Sequence, residues 1–320
     1  MLESKTPDVS IVVPCRNEIR HIRAFLDCLF HQELGAIEVE VLIADGMSDD
    51  GTRGVLAEFE TKCPSFRVMD NPERIISTGT NRAIREARGE IIVRMDVHTL
   101  YAPDYVRTCV EVLKETGAGN VGGPALTRVD GWLAKAIALA FHTPFASGGA
   151  TYRDPRYEGP TASVSYGCFR KSTLDLVGLY DEELVCGQDA DLNFRIASLG
   201  WTVWQSPKII SWYTPRNNLS SLCRQHFQYG FWKFRILRKH RKIFSWRSIV
   251  PSSCLLGGVA LLLCALVASV SGSVTWRDVF LAVLLALVDL YFIASFAAAF
   301  FVARRHGWQL LLILPVVFAA

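Results

Sequence analysis

The stretch Val9-Ser-Ile-Val-Val-Pro-Cys-Arg-Asn-Glu18 begins as an apolar, β-branched run and ends in polar residues. A second apolar run, Val39–Ala44, is followed by Asp45, and a third, Glu90–Met95, is followed by Asp96. Apolar residues at helical spacing occupy the segments between the runs, which are Arg20–His31, Thr52–Lys62 and Thr78–Arg88. Buried strands that alternate with helices predict an α/β fold with a mostly parallel sheet.

Three polar segments follow the predicted strands: Pro14–Glu18, Asp45–Thr52 and Asp96–His98. In parallel sheets, ligands bind at the carboxyl ends of the strands, where these segments are expected to meet. The turn after the first strand lacks the glycine pattern of dinucleotide-binding folds, and no P-loop follows. Carboxylates and an imidazole suit instead a nucleotide whose diphosphate is held by a divalent cation.

Asp96 and His98 offer an oxygen and a nitrogen ligand two residues apart, a set that suits Mg²⁺ or Mn²⁺. The same spacing is also typical of a surface loop at a strand end. A second acidic cluster, Gln188–Leu192, begins a helical pattern. Asp189 there has two interpretations that the residues alone leave open: a carboxylate that caps its own helix, or a general base that faces a cleft.

The composition excludes some classes of partner. The chain has 320 residues with 34 Lys and Arg against 31 Asp and Glu, and a net charge of +3 is too small to indicate nucleic acid binding. Its 9 cysteines form no C-x-x-C pair and indicate reduced thiols in a cytosolic domain.

The C-terminal part is apolar and predicts a membrane anchor. Ile249–Val270 and Val279–Val302 are runs of about 22 and about 24 residues, long enough for two spans. The run from Trp308 onward is too short to span, and it is either re-entrant or an incomplete span. The alternative for the two long runs is a buried helical hairpin of a soluble protein.

Basic residues flank the predicted spans, and the positive-inside rule therefore places the N-terminal domain in the cytosol. They are Lys233, Arg235, Arg238, Lys239, Arg241, Lys242, Arg247, Arg304 and Arg305. The segment Leu219–Lys242 mixes apolar residues at helical spacing with basic ones, which predicts an amphipathic helix in the lipid headgroup layer. An ordinary amphipathic surface helix is the alternative. The predicted divisions are a catalytic domain at 1–215, an interfacial region at 216–247 and an anchor at 248–320.

The order and spacing of these segments resemble those of the family 2 glycosyltransferases, which have the GT-A fold. The resemblance covers roughly residues 8–235 and rests on six segments, which are Val13–Glu18, Ala44–Thr52, Asn81–Ala83 with Gly89–Ile92, Asp96–His98, Gly178–Glu182 and Gln188–Leu192. The membrane tail and the D-x-H variant look most like bacterial exopolysaccharide glycosyltransferases of the succinoglycan type.

The resemblance implies roles for individual residues. The implied nucleotide-binding residues are Pro14, Arg16, Glu18, Asp45, Asn81 and Asp96. Asp96 and His98 match the metal motif, with His98 in place of an aspartate, and Asp189 matches the catalytic base. The implied acceptor-binding residues are Tyr180, Asp181, Glu182, Gln228 and Trp232. Two further departures from the family pattern are Gln188 in place of Glu and Phe231 in place of Arg.

The implied function is that of an inverting hexosyltransferase in exopolysaccharide or surface-glycan biosynthesis. Its expected donor is a nucleotide sugar, such as UDP-glucose, and its expected acceptor is a polyprenyl-diphosphate-linked glycan at the cytosolic face of a bacterial inner membrane. The expected cofactor is Mg²⁺ or Mn²⁺, and the expected partners include membrane lipid but no nucleic acid. Two alternatives remain: a polyprenyl-phosphate glycosyltransferase, and a non-catalytic membrane scaffold.

Overall fold

The computed structural model describes residues 6–124, 126–128, 131–213, 218–241 and 249–319. These residues form two compact units, Met1–Arg128 with Ala150–Thr214 and Val129–Gly149 with Pro215–Ala320. The predicted catalytic domain at 1–215 includes the 129–149 segment, which belongs to the second of these units. The predicted boundaries of the interfacial region, 216 and 247, lie outside the described residues, as do Lys242 and Arg247.

Between residues 9 and 94 the first unit alternates strands and helices, as the sequence predicts. Its strands are β1 (Val9–Cys15), β2 (Val39–Asp45), β3 (Phe66–Asp70), β4 (Ile91–Arg94), β5 (Thr99–Tyr101), β6 (Asn120–Gly122), β7 (Leu126–Thr127), β8 (Gly159–Pro160), β9 (Cys168–Arg170), β10 (Val203–Gln205) and β11 (Ser211–Tyr213). Its helices are α1 (Ile22–Phe30), α2 (Thr52–Glu60), α3 (Ile76–Glu86), α4 (Tyr105–Thr116), α7 (Lys171–Val177) and α8 (Gln188–Ser198).

Within the described residues, eight strands form the main sheet in the order β3-β2-β1-β4-β9-β6-β10-β8. β1 is parallel to β2 and β4, and β2 is parallel to β3, whereas β9 is antiparallel to both of its neighbours. Three short strands form a second sheet in the order β5-β11-β7. The predicted mostly parallel α/β sheet is therefore present, with β9 antiparallel at its centre and β8 antiparallel at one edge.

Side chains of the central strands alternate between two apolar layers. Along β1, Ile11 belongs to one layer and Val12 to the other, as the two-residue period of a strand requires. Apolar residues of α1, α2 and α4 complete the first layer, and those of α3, α7 and α8 complete the second. Because both faces are covered, β1 is buried along its whole length, and only its carboxyl end can present polar residues to a ligand.

The second unit is helical. Its helices are α5 (Trp132–Phe141), α6 (Pro144–Ser147), α9 (Leu219–His240), α10 (Val250–Val270), α11 (Val274–His306) and α12 (Leu310–Ala319). Two of them, α10 and α11, are long and apolar enough to cross a membrane. With 33 residues, α11 extends about 50 Å, more than the roughly 30 Å of a bilayer's hydrocarbon core. α12 has only 10 residues, too few to span.

The segment between β7 and β8 joins the second unit because α5 is apolar. Ile137 and Ala140 of α5 share a buried cluster with Leu310 and Leu314 of α12 and with Ala299 of α11. Most side chains of the apolar parts of α10 and α11 are exposed in the described structure. Apolar surface of that extent is costly in water, and a lipid environment would cover it.

Gly123, directly after β6, lies against the chain just before β11. A Cβ atom built on Gly123 would lie 1.8 Å from the carbonyl oxygen of Ile209, far inside the contact distance of about 3.5 Å. A backbone oxygen in that position cannot rotate away as the end of a flexible side chain can. The close approach of these two backbone segments therefore requires glycine.

We expect Gly123→Ala to lower the free energy of unfolding of the first unit by about 1–3 kcal/mol, because the added methyl group forces the two segments apart. The measurement is urea unfolding of the detergent-solubilised chain, followed by intrinsic fluorescence. Gly54→Ala is the matched control, since Gly54 lies in α2 with nothing within 4 Å of a built Cβ. Equal stability of the two variants would contradict the packing argument.

Candidate active site

The carboxyl ends of β1 and β2 lie side by side, since Pro14 pairs with Ala44 and Cys15 with Asp45. Asp45 is fully buried. Its carboxylate accepts hydrogen bonds from the Ser48 hydroxyl at 2.5 Å and the Ser48 N–H at 3.0 Å. The loop after β2 therefore holds the Asp45 carboxylate in place, at the predicted edge of the sheet.

The polar segment after β1 is tied to the same loop. The backbone N–H groups of residues 17–19 donate to Ser48 Oγ, Thr52 Oγ1 and Asp50 Oδ2 at 2.8, 2.8 and 3.0 Å. Arg16 is exposed, and its aliphatic stem packs beside Gly46. Two of the three predicted nucleotide-binding segments thus form one rigid wall.

The buried Cys15 thiol lies among several carboxylates. Burial raises the pKa of Cys15, and the negative charges of Asp45, Glu18, Asp50 and Asp96 raise that pKa further. All four carboxylates must be close to this thiol to act on it. The ends of β1, β2 and β4 therefore enclose an acidic crevice, which favours a bound cation.

Asp96 and His98 form a tight turn after β4. Asp96 Oδ1 accepts a hydrogen bond from the His98 N–H at 2.9 Å, and the Asp96 N–H donates to Tyr101 Oη at 2.7 Å. The His98 imidazole is directed elsewhere, with Nε2 2.8 Å from Glu18 Oε1. The His98 imidazole thus meets Glu18, which was predicted only as a nucleotide contact, and the shared metal site of Asp96 and His98 stays a prediction.

Asp189 lies in the first turn of α8 and forms an ion pair with Arg94, the last residue of β4. The Arg94 side chain is 4% exposed and the Asp189 side chain 33% exposed. Arg94 also lies over the ring of Tyr180, 5.3 Å from its centroid. The geometry favours the interpretation that Asp189 faces a cleft, because its carboxylate contacts Arg94 at the carboxyl end of β4.

Burial raises the pKa of Asp189 above its ordinary value, the Arg94 guanidinium lowers it, and the Asp96 carboxylate raises it again. The effect of Asp96 on the pKa of Asp189 indicates that the two carboxylates lie close to each other. A carboxylate with a raised pKa and partial access to solvent can accept a proton more readily than an ordinary aspartate.

Asn81 and the Tyr180–Glu182 segment form a separate cluster. The Asn81 amide donates to the Tyr180 carbonyl and to Glu182 Oε1, both at 2.8 Å, and its oxygen accepts from the Tyr180 N–H at 2.9 Å. Arg85 also binds Glu182 at 3.1 Å. The described contacts of Asn81 are thus with the predicted acceptor segment, and its nucleotide-binding role stays a prediction. Tyr180 is buried, whereas Asp181 is half-buried and accepts a hydrogen bond from the Glu183 N–H at 3.1 Å.

The remaining two predicted acceptor residues belong to the second unit. Gln228 is exposed on α9. Trp232 is half-buried on the same helix, with the Arg235 guanidinium 5.2 Å from its ring centroid. Their roles stay predictions.

Sequence reasoning missed Arg94, Arg195 and His21. Arg195 Nε binds the buried Asp191 at 2.8 Å, and its other nitrogens donate to three carbonyls just before Tyr180. The sequence signal for Arg94 is a charged residue directly after the apolar run Ile91–Val93. A charged residue in a buried strand needs a partner, but the sequence does not say which one.

Comparisons with known proteins show the family of this chain. The model of the family "Glycosyl transferase family 2" matches residues 10–175. Succinoglycan biosynthesis protein ExoA of Rhizobium meliloti (strain 1021) is 33% identical over 243 residues, which are 75% of this chain and 73% of ExoA. Dolichyl N-acetyl-alpha-D-glucosaminyl phosphate 3-beta-D-2,3-diacetamido-2,3-dideoxy-beta-D-glucuronosyltransferase of Methanococcus voltae is 25% identical over 72% of this chain and 74% of its own length.

Solved structures share the fold. Mannosyltransferase PcManGT from Pyrobaculum calidifontis, in complex with GDP-Man and Mn²⁺, aligns over 99% of this chain and 87% of its own, with a TM-score of 0.61 and 19% identity. S. aureus TarS 1–349 in complex with UDP aligns over 65% of this chain with a TM-score of 0.51 and 16% identity, and this chain spans only 60% of the TarS fragment. The predicted α/β, GT-A-type fold is confirmed.

The Arg94–Asp189 ion pair predicts strong coupling between the two positions. We expect Asp189→Leu to lower the free energy of unfolding by about 3 kcal/mol, the lower end of the usual cost of breaking a buried ion pair. The reason is that this change leaves the buried Arg94 cation without its partner. Arg94→Met should have a smaller effect, since the Asp189 side chain is one-third exposed. The double variant should recover most of the loss, because it removes both charges.

Urea unfolding of the two single variants, the double variant and the native chain gives the coupling energy directly. Strictly additive losses would show that the two side chains do not stabilise each other.

Proposed function

Because the chain belongs to glycosyl transferase family 2, we propose that it transfers a hexose from a nucleotide sugar to a lipid-linked glycan, with inversion at the anomeric carbon. The proposed pathway is the assembly of an exopolysaccharide or surface glycan. The similarity to ExoA, a succinoglycan biosynthesis protein, supports that class of product.

The observation that carries the proposal is the position of Asp189. Its carboxylate pairs with Arg94 at the end of β4. Asp96, two residues after Arg94, lies close enough to raise the pKa of Asp189. An acid that must remove a proton beside a bound diphosphate needs this placement: close to the cation-binding edge, ionised, and open on one side.

Asp189 is the proposed general base. It accepts the proton of the acceptor hydroxyl as that oxygen attacks the anomeric carbon and the bond to the nucleoside diphosphate breaks. The transition state has oxocarbenium character, as in glycoside hydrolysis. Arg94 orients the carboxylate through its ion pair, and the neighbouring Arg94 charge keeps the carboxylate ionised until it accepts the proton.

The donor side uses the acidic crevice. Asp45, Pro14, Arg16 and Glu18 line the wall where the nucleoside would bind. Asp96 and His98 are oxygen and nitrogen donors of the kind that Mg²⁺ and Mn²⁺ accept, and so fit a divalent cation. When bound, that cation would neutralise charge on the departing diphosphate. The complexes of TarS with UDP and of PcManGT with GDP-Man and Mn²⁺ support a nucleoside-diphosphate donor.

The acceptor is proposed to be membrane-held. Three phenylalanines of α9 are strongly exposed, Phe227 at 75%, Phe231 at 49% and Phe234 at 67%. They lie among exposed basic residues such as Lys233 and Arg238. Exposed aromatic and basic side chains on one helix suit the headgroup layer of a membrane.

We propose that α9 lies in that layer, and that α10 and α11 both span a bacterial inner membrane. The first unit then faces the cytosol. Acceptors confined to the membrane surface would be concentrated beside this unit.

The test of function is product analysis. Membranes containing the chain are incubated with a panel of radiolabelled nucleotide sugars and polyprenyl-diphosphate-linked acceptors, and the lipid extract is analysed. Mild acid cleaves the diphosphate link between lipid and glycan, so we expect it to release a labelled oligosaccharide in which the label stays joined by a glycosidic bond. Release of the label as a free monosaccharide from polyprenyl phosphate would establish the polyprenyl-phosphate alternative, and no transfer with any pair would support the scaffold alternative.

In that assay, Asp189→Asn should lower transfer by about 10²–10⁴-fold, the usual cost of losing a general base. Binding of the nucleotide sugar should be retained, which also reports that the variant is folded. Asp175→Asn, the same change at an exposed position of α7, should have native activity. Near-native turnover by Asp189→Asn would eliminate Asp189 as the base.

The raised pKa of Asp189 predicts the pH dependence of transfer. The base must be ionised, so kcat/KM should rise with pH through the pKa of Asp189, with a midpoint above the ordinary aspartate value of about 3.9. Because Arg94 lowers that pKa, Arg94→Gln should move the midpoint to higher pH. A midpoint that Arg94→Gln leaves unchanged would show that another group controls the acid limb.

A further inference from the structure

The turn after β1 and the turn after β4 bring three potential metal ligands together. Glu18, His21 and His98 each offer one ligand atom, and these atoms all lie within 4.8 Å of one another. Glu18 Oε1 and His98 Nε2 are already 2.8 Å apart. The His21 and His98 rings have their centroids 4.8 Å apart and meet edge to face at 61°.

The backbone holds this cluster before any ion binds. The N–H groups of His21 and Ile22 both donate to the Glu18 carbonyl at 2.8 Å, so Glu18 and His21 lie on one turn at the start of α1. The Glu18 N–H is fixed by Thr52 Oγ1 at 2.8 Å. On the other side, the bond from the His98 N–H to Asp96 Oδ1 fixes the turn that carries the imidazole.

The distance between the ligand atoms of Glu18 and His98 is close to that expected for two ligands of one metal ion. Ligand atoms about 2.1 Å from one metal lie roughly 3–3.5 Å apart in tetrahedral or octahedral geometry. The Glu18–His98 pair nearly meets this distance. His21 is exposed, and its ring already lies edge to face against that of His98.

The donor set selects the class of ion. Two imidazoles and one carboxylate suit Mn²⁺, Co²⁺ or Zn²⁺, whereas Mg²⁺ favours oxygen ligands and water. The surrounding crevice also carries Asp45, Asp50 and Asp96, whose charges reach the neighbouring Cys15 thiol. A divalent cation would be attracted to that excess of negative charge.

We propose that Glu18, His21 and His98 form a binding site for one first-row transition-metal ion, which fills without any nucleotide sugar. The site differs from the Asp96–His98 pair in its ligands. Glu18 and His21 take the place of Asp96, and His98 binds through Nε2, the nitrogen that faces Glu18. It does not depend on transfer activity, and its test contains no sugar donor.

The test uses the full chain in detergent, stripped of metal by chelation, with Co²⁺ alone as the probe. We expect one Co²⁺ per chain, with visible d–d absorption. Zn²⁺ should displace the Co²⁺, whereas a hundredfold excess of Mg²⁺ should not. His21→Gln and Glu18→Gln should each weaken Co²⁺ binding at least tenfold. His21→Cys should retain binding and add thiolate-to-cobalt charge-transfer absorption, because it replaces one ligand by another.

His31→Gln is the matched control, since His31 is an exposed histidine at the other end of α1. It should bind Co²⁺ like the native chain. Urea unfolding of each metal-free variant checks that the first unit is folded. The proposal is overturned if the native chain binds no Co²⁺, if Mg²⁺ displaces it readily, or if folded His21→Gln binds it normally. Loss of binding in Asp96→Asn but not in Glu18→Gln would place the ion on the Asp96–His98 pair instead.

Discussion

Repulsion among carboxylates is the constraint on which the rest of this crevice depends. Parallel pairing of β1 with β2 and β4 brings Asp45, Asp50 and Asp96 to one edge, and α8 adds Asp189. Like charges this close repel one another, and that repulsion would destabilise the fold. The structure offsets the repulsion by giving individual carboxylates fixed partners.

Those partners divide the crevice into two parts with different chemistry. Asp45 accepts its hydrogen bonds from its own loop, so its side chain is rigid and suited to recognition. Asp189 has a single buried cation beside it and one open side, so its side chain is suited to proton transfer. The two aspartates thus differ in environment, in keeping with the roles proposed for them on the donor and the acceptor side.

The helical second unit explains why the chain carries apolar residues in two distant places. α5 is separated from α12 by more than 150 residues, yet the two share a buried cluster. An apolar helix inserted between β7 and β8 would promote aggregation if it were exposed on the surface of a soluble domain. Packing against the C-terminal helices removes much of that surface from water and ties the insertion to the proposed membrane anchor.

The sequence by itself determined the alternation of strands and helices, the family and the two long apolar helices, because these depend on local periodicity and on the order of motifs. The positions of Asp96, His98 and Asp189 followed from the same motifs. Only the tertiary structure decided which side chains meet: Arg94 with Asp189, Asn81 with the Tyr180–Glu182 segment, and His21 with Glu18 and His98. These contacts join residues up to 101 positions apart, and no local pattern records a pairing that arises only when distant loops fold onto one edge of a sheet.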